Sequence, residues 1–230
     1  MKQVKYITML LAALIFGTTI NAQGIKIYQK SGEVIEIAYT DIDSIVAYGD
    51  NSYDEMYEAV DLGLSVKWAA SNVGTTIPED YGEFYSWGEI ESKSVYSPDN
   101  CATWGLSIGD ISGNPEYDAA TAFMEGNWRM PTKAEFQELL DSCTWTWTML
   151  NEINGYKVTS KKNGNSIFLP AAGWHSMSSY NAAGIQGGYW CSTSNDGDNY
   201  SAYDIYFTQS KYGIASDVRF NGRNIRAVRK

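Results

Sequence analysis

Gly105-Leu106-Ser107-Ile108-Gly109 has the spacing of a nucleophile elbow, and Asp118 or Asp141 followed by His175 would complete a serine, acid, base order. That chemistry needs a strand before the serine and a long helix after it, so that the hydroxyl is raised on a sharp turn. Ser112-Gly113-Asn114-Pro115 follows instead and starts no helix, so the match reads as chance in a chain with 21 glycines. His175 is the single histidine, which excludes sites built on two imidazoles, including the common catalytic zinc sets. Between Trp174 and Ser176 it reads as a loop residue. Asn195-Asp196-Gly197-Asp198-Asn199 gathers oxygens around a glycine as a calcium loop does. It lacks the regular spacing and closing glutamate of an EF-hand and reads as a turn between strands.

The stretch with the most functional character is Ser192 to Asp204, with Asn221 to Asn224 near the chain end. It mixes Ser, Asn, Asp, Gly and Tyr, as binding loops do: tyrosine gives rigid amphipathic contact and the small polar residues adapt their hydrogen bonds. The candidate binding residues in its first part are Trp190, Ser192, Ser194, Asn195, Asp196, Asp198 and Asn199. Tyr200, Tyr203, Asp204, Tyr206, Asn221, Arg223 and Asn224 complete the set. Thr144-Trp145-Thr146-Trp147-Thr148 puts both indoles on one face of a strand, a stacking platform or, in the favoured reading, a cover for the apolar stripe of a helix.

That helix begins in Asn127-Trp128-Arg129-Met130-Pro131-Thr132-Lys133-Ala134-Glu135-Phe136. Thr132 and Glu135 have the spacing of a capping box, and Phe136, Leu139, Leu140 and Cys143 fall at i, i+3, i+4 and i+7. A helix over 132–142 that packs on a sheet is therefore expected. A second, shorter one is expected within 115–124, starting near Glu116. Short strands are expected at 60–62, 66–69, 83–87, 156–160, 167–169, 188–194, 200–207, 214–220 and 225–228, with Asn163-Gly164 as a hairpin turn. Strands first, helices in the middle and strands again make an α+β domain over residues 60–230.

Residues 1–22 have the parts of a secretory signal: Lys2 and Lys5, an apolar stretch from Met9 to Phe16, and Ile20-Asn21-Ala22 at the cut. Residues 23–50 read as a small β-hairpin segment around Lys30 to Glu33, too short to fold alone, and 51–59 as an acidic linker. The mature protein is expected in the periplasm or outside the cell. Its 15 Lys and Arg against 27 Asp and Glu leave −12, which disfavours nucleic acid and anionic membrane surfaces. Lys211, Arg219, Arg223, Arg226, Arg229 and Lys230 crowd the last twenty residues and are expected to pair with the acidic remainder. Cys101, Cys143 and Cys191 permit at most one disulfide within the chain, a Cys101–Cys143 bridge being one arrangement.

Read with Tyr189-Trp190-Cys191-Ser192-Thr193 and Ile225-Arg226-Ala227-Val228, the Trp128, Arg129, Pro131, Thr132, Glu135 motif resembles the Fibrobacter succinogenes major paralogous domain group of secreted bacterial proteins. More distantly, Arg129-Met130-Pro131-Thr132 with Glu135-Phe136 is similar to the formylglycine-generating-enzyme branch of the C-type lectin fold. The resemblance implies a C-type lectin-like fold with short antiparallel sheets, one or two helices and long loops, and a ligand face in the C-terminal half. It also implies serine at the position of Cys191, which makes that cysteine the unpaired one. A lone Cys191 does not reproduce the paired thiols of the enzymes, so their activity is not carried over. Asn114-Pro115-Glu116 and Trp190-Cys191-Ser192 depart from the calcium motifs of sugar-binding lectins.

The reading is a secreted, non-enzymatic recognition module without a cofactor, whose partner is a protein or carbohydrate at the cell exterior. No nucleic acid and no membrane insertion after signal cleavage are expected. The alternative is a structural component of a cell-surface appendage docked through residues 23–50. A narrower version is a binding protein diversified by a retroelement, with Cys191, Ser192, Asn195, Asp196, Tyr200, Tyr203, Asp204, Tyr206, Asn221 and Asn224 as varied positions. A neighbouring near-copy of the coding DNA differing at adenines would establish that version, and its absence would remove it.

Overall fold

The computed structural model describes residues 24–28, 34–38, 56–124 and 127–230. The expected signal and its cleavage point, the turn 30–33 and the first part of the linker lie outside the described residues. Two compact units divide at Gly49 and Asp50. The first holds β1 (Gly24–Tyr28) and β2 (Val34–Ala38), an antiparallel pair with Gly24 opposite Ala38 and Tyr28 opposite Val34.

The second unit is α+β. In chain order it holds β3 (Ala59–Val60), β4 (Lys67–Ala69), α1 (Ala119–Met124), α2 (Lys133–Ser142), β5 (Cys143–Leu150), β6 (Ile153–Ser160) and β7 (Ser166–Pro170). There follow β8 (Trp174–Ser176), β9 (Ser179–Asn181), β10 (Gln186–Ser194), β11 (Ser201–Thr208), β12 (Lys211–Val218) and β13 (Val228–Arg229). They form four antiparallel sheets, ordered β13-β4-β3, β5-β6-β7, β8-β9 and β10-β11-β12. No helix among the described residues is long and apolar enough to cross a membrane.

Several elements differ from expectation for local reasons. Residues 83–87 are not a strand: only Tyr85 bridges, to Arg223, and Gly82 and Gly88 bend the chain at positive φ on either side. The short helix starts at Ala119 because Asn114 Oδ1 accepts from Glu116 N in a preceding turn, while Asp118 Oδ1 accepts from Thr121 N and caps the helix. His175 lies in a hairpin, β8-β9, rather than a loop. Ser107 is exposed in a segment without helix or strand. All three cysteines are free and buried, so the Cys101–Cys143 bridge is not made.

Thr132 caps α2 as its spacing predicts. Its Oγ1 accepts from Glu135 N at 3.2 Å, and Glu135 Oε2 accepts from Thr132 N at 2.8 Å. Arg129 then grips Glu135 with both terminal nitrogens, at 2.9 and 2.5 Å. Burial opposes ionisation of Glu135, but Arg129 and the Thr132 amide outweigh it and hold the carboxyl below its ordinary value. The apolar face of α2 buries Phe136 and Leu139 against Trp68, Trp145, Tyr156, Val158 and Leu169. Full burial of each such side chain contributes about 1.5–3 kcal/mol.

The C-terminal cations do not all meet carboxylates. Arg226 is sealed in the core, where Nε donates to Asn72 Oδ1, Nη1 to the Ala69 and Ala70 carbonyls and Nη2 to that of Phe168. Burial pulls its guanidinium down to about 10. Arg219 is buried across the Trp87 ring and donates to the carbonyls of Ser201, Thr103 and Leu106. Planar forks of this kind satisfy several carbonyls at once, which explains arginine rather than lysine at both positions.

Candidate functional site

Alternation along β10 and β11 makes their sheet two-sided. Tyr189, Cys191, Ile205 and Phe207 point into the core beneath α2, and Trp190 and Ala202 point the other way, into a second core with Trp87, Trp128 and Ile225. Asp204 and Tyr206 share that second face, because Asp204 is opposite Trp190 and Ala215, and Tyr206 opposite Gly188 and Gly213. These neighbours of Asp204 and Tyr206 on β10 and β12 are, Trp190 apart, small or lack a side chain. The space they leave is filled in part by Arg223, whose Nη1 would lie 1.6 Å from a Cβ at Gly188. The rest is an open cavity of about 410 Å³ lined by Trp174, Gln186, Asp204, Tyr206, Lys211, Ala215, Ser216, Asp217, Asn221 and Arg223.

The charges are unevenly served. Asp217 Oδ2 accepts from Arg223 Nε at 2.9 Å and from its Nη2, and from Asn221 Nδ2 at 2.8 Å. Those partners hold the Asp217 carboxyl below its usual range although burial opposes them. Asp204 is 1 % exposed, with both carboxylate oxygens sealed from solvent, and its partner is Arg223, whose Nη1 forms an ion pair with Oδ2 at 3.2 Å. Burial pushes its carboxyl up to about 6 against the pull of Arg223. Arg223 Nη1 and Asn221 Oδ1 are likewise sealed, Asn221 Oδ1 without a hydrogen-bond partner among the described residues. Such an atom is uncommon, since buried polar atoms are nearly always paired.

The described residues include no group of three or more His, Cys, Asp and Glu side chains converging as metal ligands. At the cavity Arg223 bridges the two carboxylates, where a cation would have to stand. In the polar loop, Asp198 accepts from Tyr200 N and Ser201 Oγ, and Asn195 Nδ2 donates to Ser201 Oγ. Its oxygens close a turn.

Of the sequence-derived binding residues, the fold brings Asp204, Tyr206, Asn221 and Arg223 together at the cavity. Asn195, Asp196, Asp198, Asn199 and Tyr200 form a separate loop, with Tyr200 edge-on to Trp104. Ser194 is buried where β10 ends. Trp190, Ser192 and Asn224 are sealed and cannot form a surface; Trp190 Nε1 donates to the Tyr85 carbonyl and Asn224 Nδ2 to those of Tyr81 and Glu83. Tyr203 lies on the opposite face from Asp204, under Lys133 Nζ at 3.4 Å. A surface varied by a retroelement would be confined to Asn195, Asp196, Tyr200, Tyr203 and Tyr206, because Cys191, Ser192, Asp204, Asn221 and Asn224 are buried.

Sequence reading did not count Trp174, Gln186, Lys211, Ser216 or Asp217 among the binding residues. Alternation along 211–217 puts Lys211, Gly213, Ala215 and Asp217 on one face and would have found two of them, given the pairing with β11. The Trp128 to Glu135 motif supports the site from behind: Pro131 O accepts from Ser192 N at 2.8 Å and Thr193 Oγ1 from Lys133 N at 3.1 Å, fixing β10. Scans against protein-family models, curated proteins and solved structures find no match to this chain.

Proposed function

We propose that the chain is a secreted, non-enzymatic recognition module with a C-type lectin-like fold, and that it holds an extracellular protein or glycan in the cavity over Asp204. One observation carries this reading: an open cavity of about 410 Å³ brings the partly exposed Trp174, Gln186, Tyr206 and Asp217 together with the exposed Lys211 and Ser216, aromatic and polar groups that a ligand can reach. The resemblance to secreted domains supports the compartment. The test applies wild type and Tyr206→Ala to a glycan array and to a random-peptide display library. Ligands captured by wild type should be lost by the variant while its circular dichroism is unchanged. Equal capture by both proteins would exclude the cavity as the site.

A second reading, assembly into a surface appendage, is favoured by one feature of residues 24–38. The β1-β2 pair is a two-stranded sheet in its own compact unit, and among the described residues no third strand covers either edge. Open edges are sites for strand addition. Deleting residues 23–50 would then abolish incorporation while leaving the cavity's ligand binding intact.

A further inference from the structure

β12 is the outer strand of the sheet β10-β11-β12 and pairs with β11 alone. Along an antiparallel pair, hydrogen-bonded and non-bonded residues alternate. Arg219 N donates to Tyr200 O one step beyond the ladder, so the odd-numbered residues of β12 turn their backbone groups toward β11 and the even-numbered ones turn theirs outward. At Val218 the outward groups are met within the chain: its N–H donates to Asp217 Oδ1 and its carbonyl accepts from Asn221 N. Those of Tyr212, Ile214 and Ser216 have no hydrogen-bond partner among the described residues. Tyr212 and Ser216 are exposed and Ile214 partly so. Proline and a bulge, two devices that blunt a sheet edge, are both missing from Lys211–Val218.

We propose that this edge pairs with β12 of a second copy of the chain, antiparallel about a two-fold axis at Ile214, so that two three-stranded sheets become one of six strands. A ladder forms only where outward residue meets outward residue. Centred on Ile214, Tyr212 meets the partner's Ser216, Ile214 meets the partner's Ile214, and Ser216 meets the partner's Tyr212, each pair exchanging both backbone bonds. The same register sets Lys211 opposite the partner's Asp217 at one end and Asp217 opposite the partner's Lys211 at the other, opposite charges where cross-strand side chains meet. Lys211 meets no carboxylate among the described residues, its ammonium lying 5.2 Å from the centre of the Tyr206 ring, and the Asp217 side chain is still 23 % exposed. Between the charges, Gly213 faces the partner's Ala215 without a collision. Neighbouring registers that keep the ladder set Lys211 opposite the partner's Ala215 or the partner's Arg219, and both ion pairs are lost. The strand is thus complementary to itself in backbone parity and in charge. Such an axis stands perpendicular to the sheet, so the faces carrying Tyr206 lie on one side in both protomers, and a surface displaying repeated ligands engages two cavities at once. The dimer itself does not rest on the binding reading.

A single strand pair is a small interface, so the dimer dissociates on dilution. Sedimentation equilibrium of the full mature chain, from low to high micromolar concentration, should show a reversible monomer–dimer equilibrium. Ser216→Pro removes an outward N–H and leaves the β11 ladder whole, so this variant should stay monomeric with an unchanged circular dichroism spectrum. Should it misfold, Lys211→Glu sets like charges opposite each other at both ends and should weaken the dimer about tenfold or more. Mixing Tyr212→Cys with Ser216→Cys under mild oxidation reads the register: the mixture should give a disulfide-linked dimer and neither variant alone should, because only paired positions come within disulfide reach. The native cysteines are buried and take no part. Wild type that is monomeric at every concentration would overturn the proposal and leave the edge to a strand of another protein. A dimer equally strong in Ser216→Pro and Lys211→Glu would overturn it in favour of another contact, such as residues 23–50. Either cysteine variant cross-linking alone as fast as the mixture would overturn the pairing about Ile214.

Discussion

Asp204 is a sealed carboxyl whose burial outweighs the pull of Arg223 beside it, and its effect on stability has a definite sign. Its folded value of about 6 lies above the ordinary 3.8, so the folded state binds a proton more readily than the unfolded chain. The penalty is therefore complete above about pH 6 and disappears as pH falls toward 4. Asp204→Asn is expected to denature later than wild type at pH 7.5, with the difference closing by pH 4; thermal melts at several pH values read this directly. An earlier midpoint for the variant at pH 7.5 would mean that the Arg223 pairing outweighs the cost of burial. Thr132 has the opposite character, a residue whose entire role is local. Thr132→Ala should lower stability by about 1 kcal/mol, the usual loss on removing a side-chain cap, and an unchanged urea midpoint would remove it from that role.

Elements legible in the sequence were those whose signals are local. Thr132 and Glu135 are three residues apart and meet within one turn, and Asn163-Gly164 turns β6 into β7, with Thr159 opposite Ser166. Proline ends β7 at residue 170, and the two indoles of β5 both join the aromatic cluster beneath α2, Trp145 buried and Trp147 partly so. The β8-β9 hairpin carried no such signal, because Met177 takes the left-handed turn position, φ 53°, that glycine or asparagine ordinarily marks. Four of the ten cavity residues were legible as composition: Asp204, Tyr206, Asn221 and Arg223. Their convergence was not, since Arg223 reaches Asp204 only because its segment crosses β10 at Gly188, a glycine whose purpose is invisible without the pairing register. Arg226 joins β4, β7 and the C-terminal segment in the same nonlocal way. Arg226→Lys should cost roughly 3 kcal/mol, since one ammonium cannot reach all the carbonyls and buried acceptors are left unmet. A guanidinium chloride midpoint within error of wild type would refute that.

At the scale of the second unit, both cores are closed by residues 222–228. Val228 pairs with Trp68 in β4 and exchanges backbone bonds with Arg129, Ile225 O accepts from Val73 N, and Gly222 bonds with His175. Every one of these partners precedes the segment in the chain, so every one is synthesised before it. The second unit therefore has no local folding route that ends early: until residue 228 emerges, β4 lacks β13, Arg226 has not reached the carbonyls it joins, and Asp204 has no Arg223 beside it, so a chain cut short by even a few residues leaves both cores open.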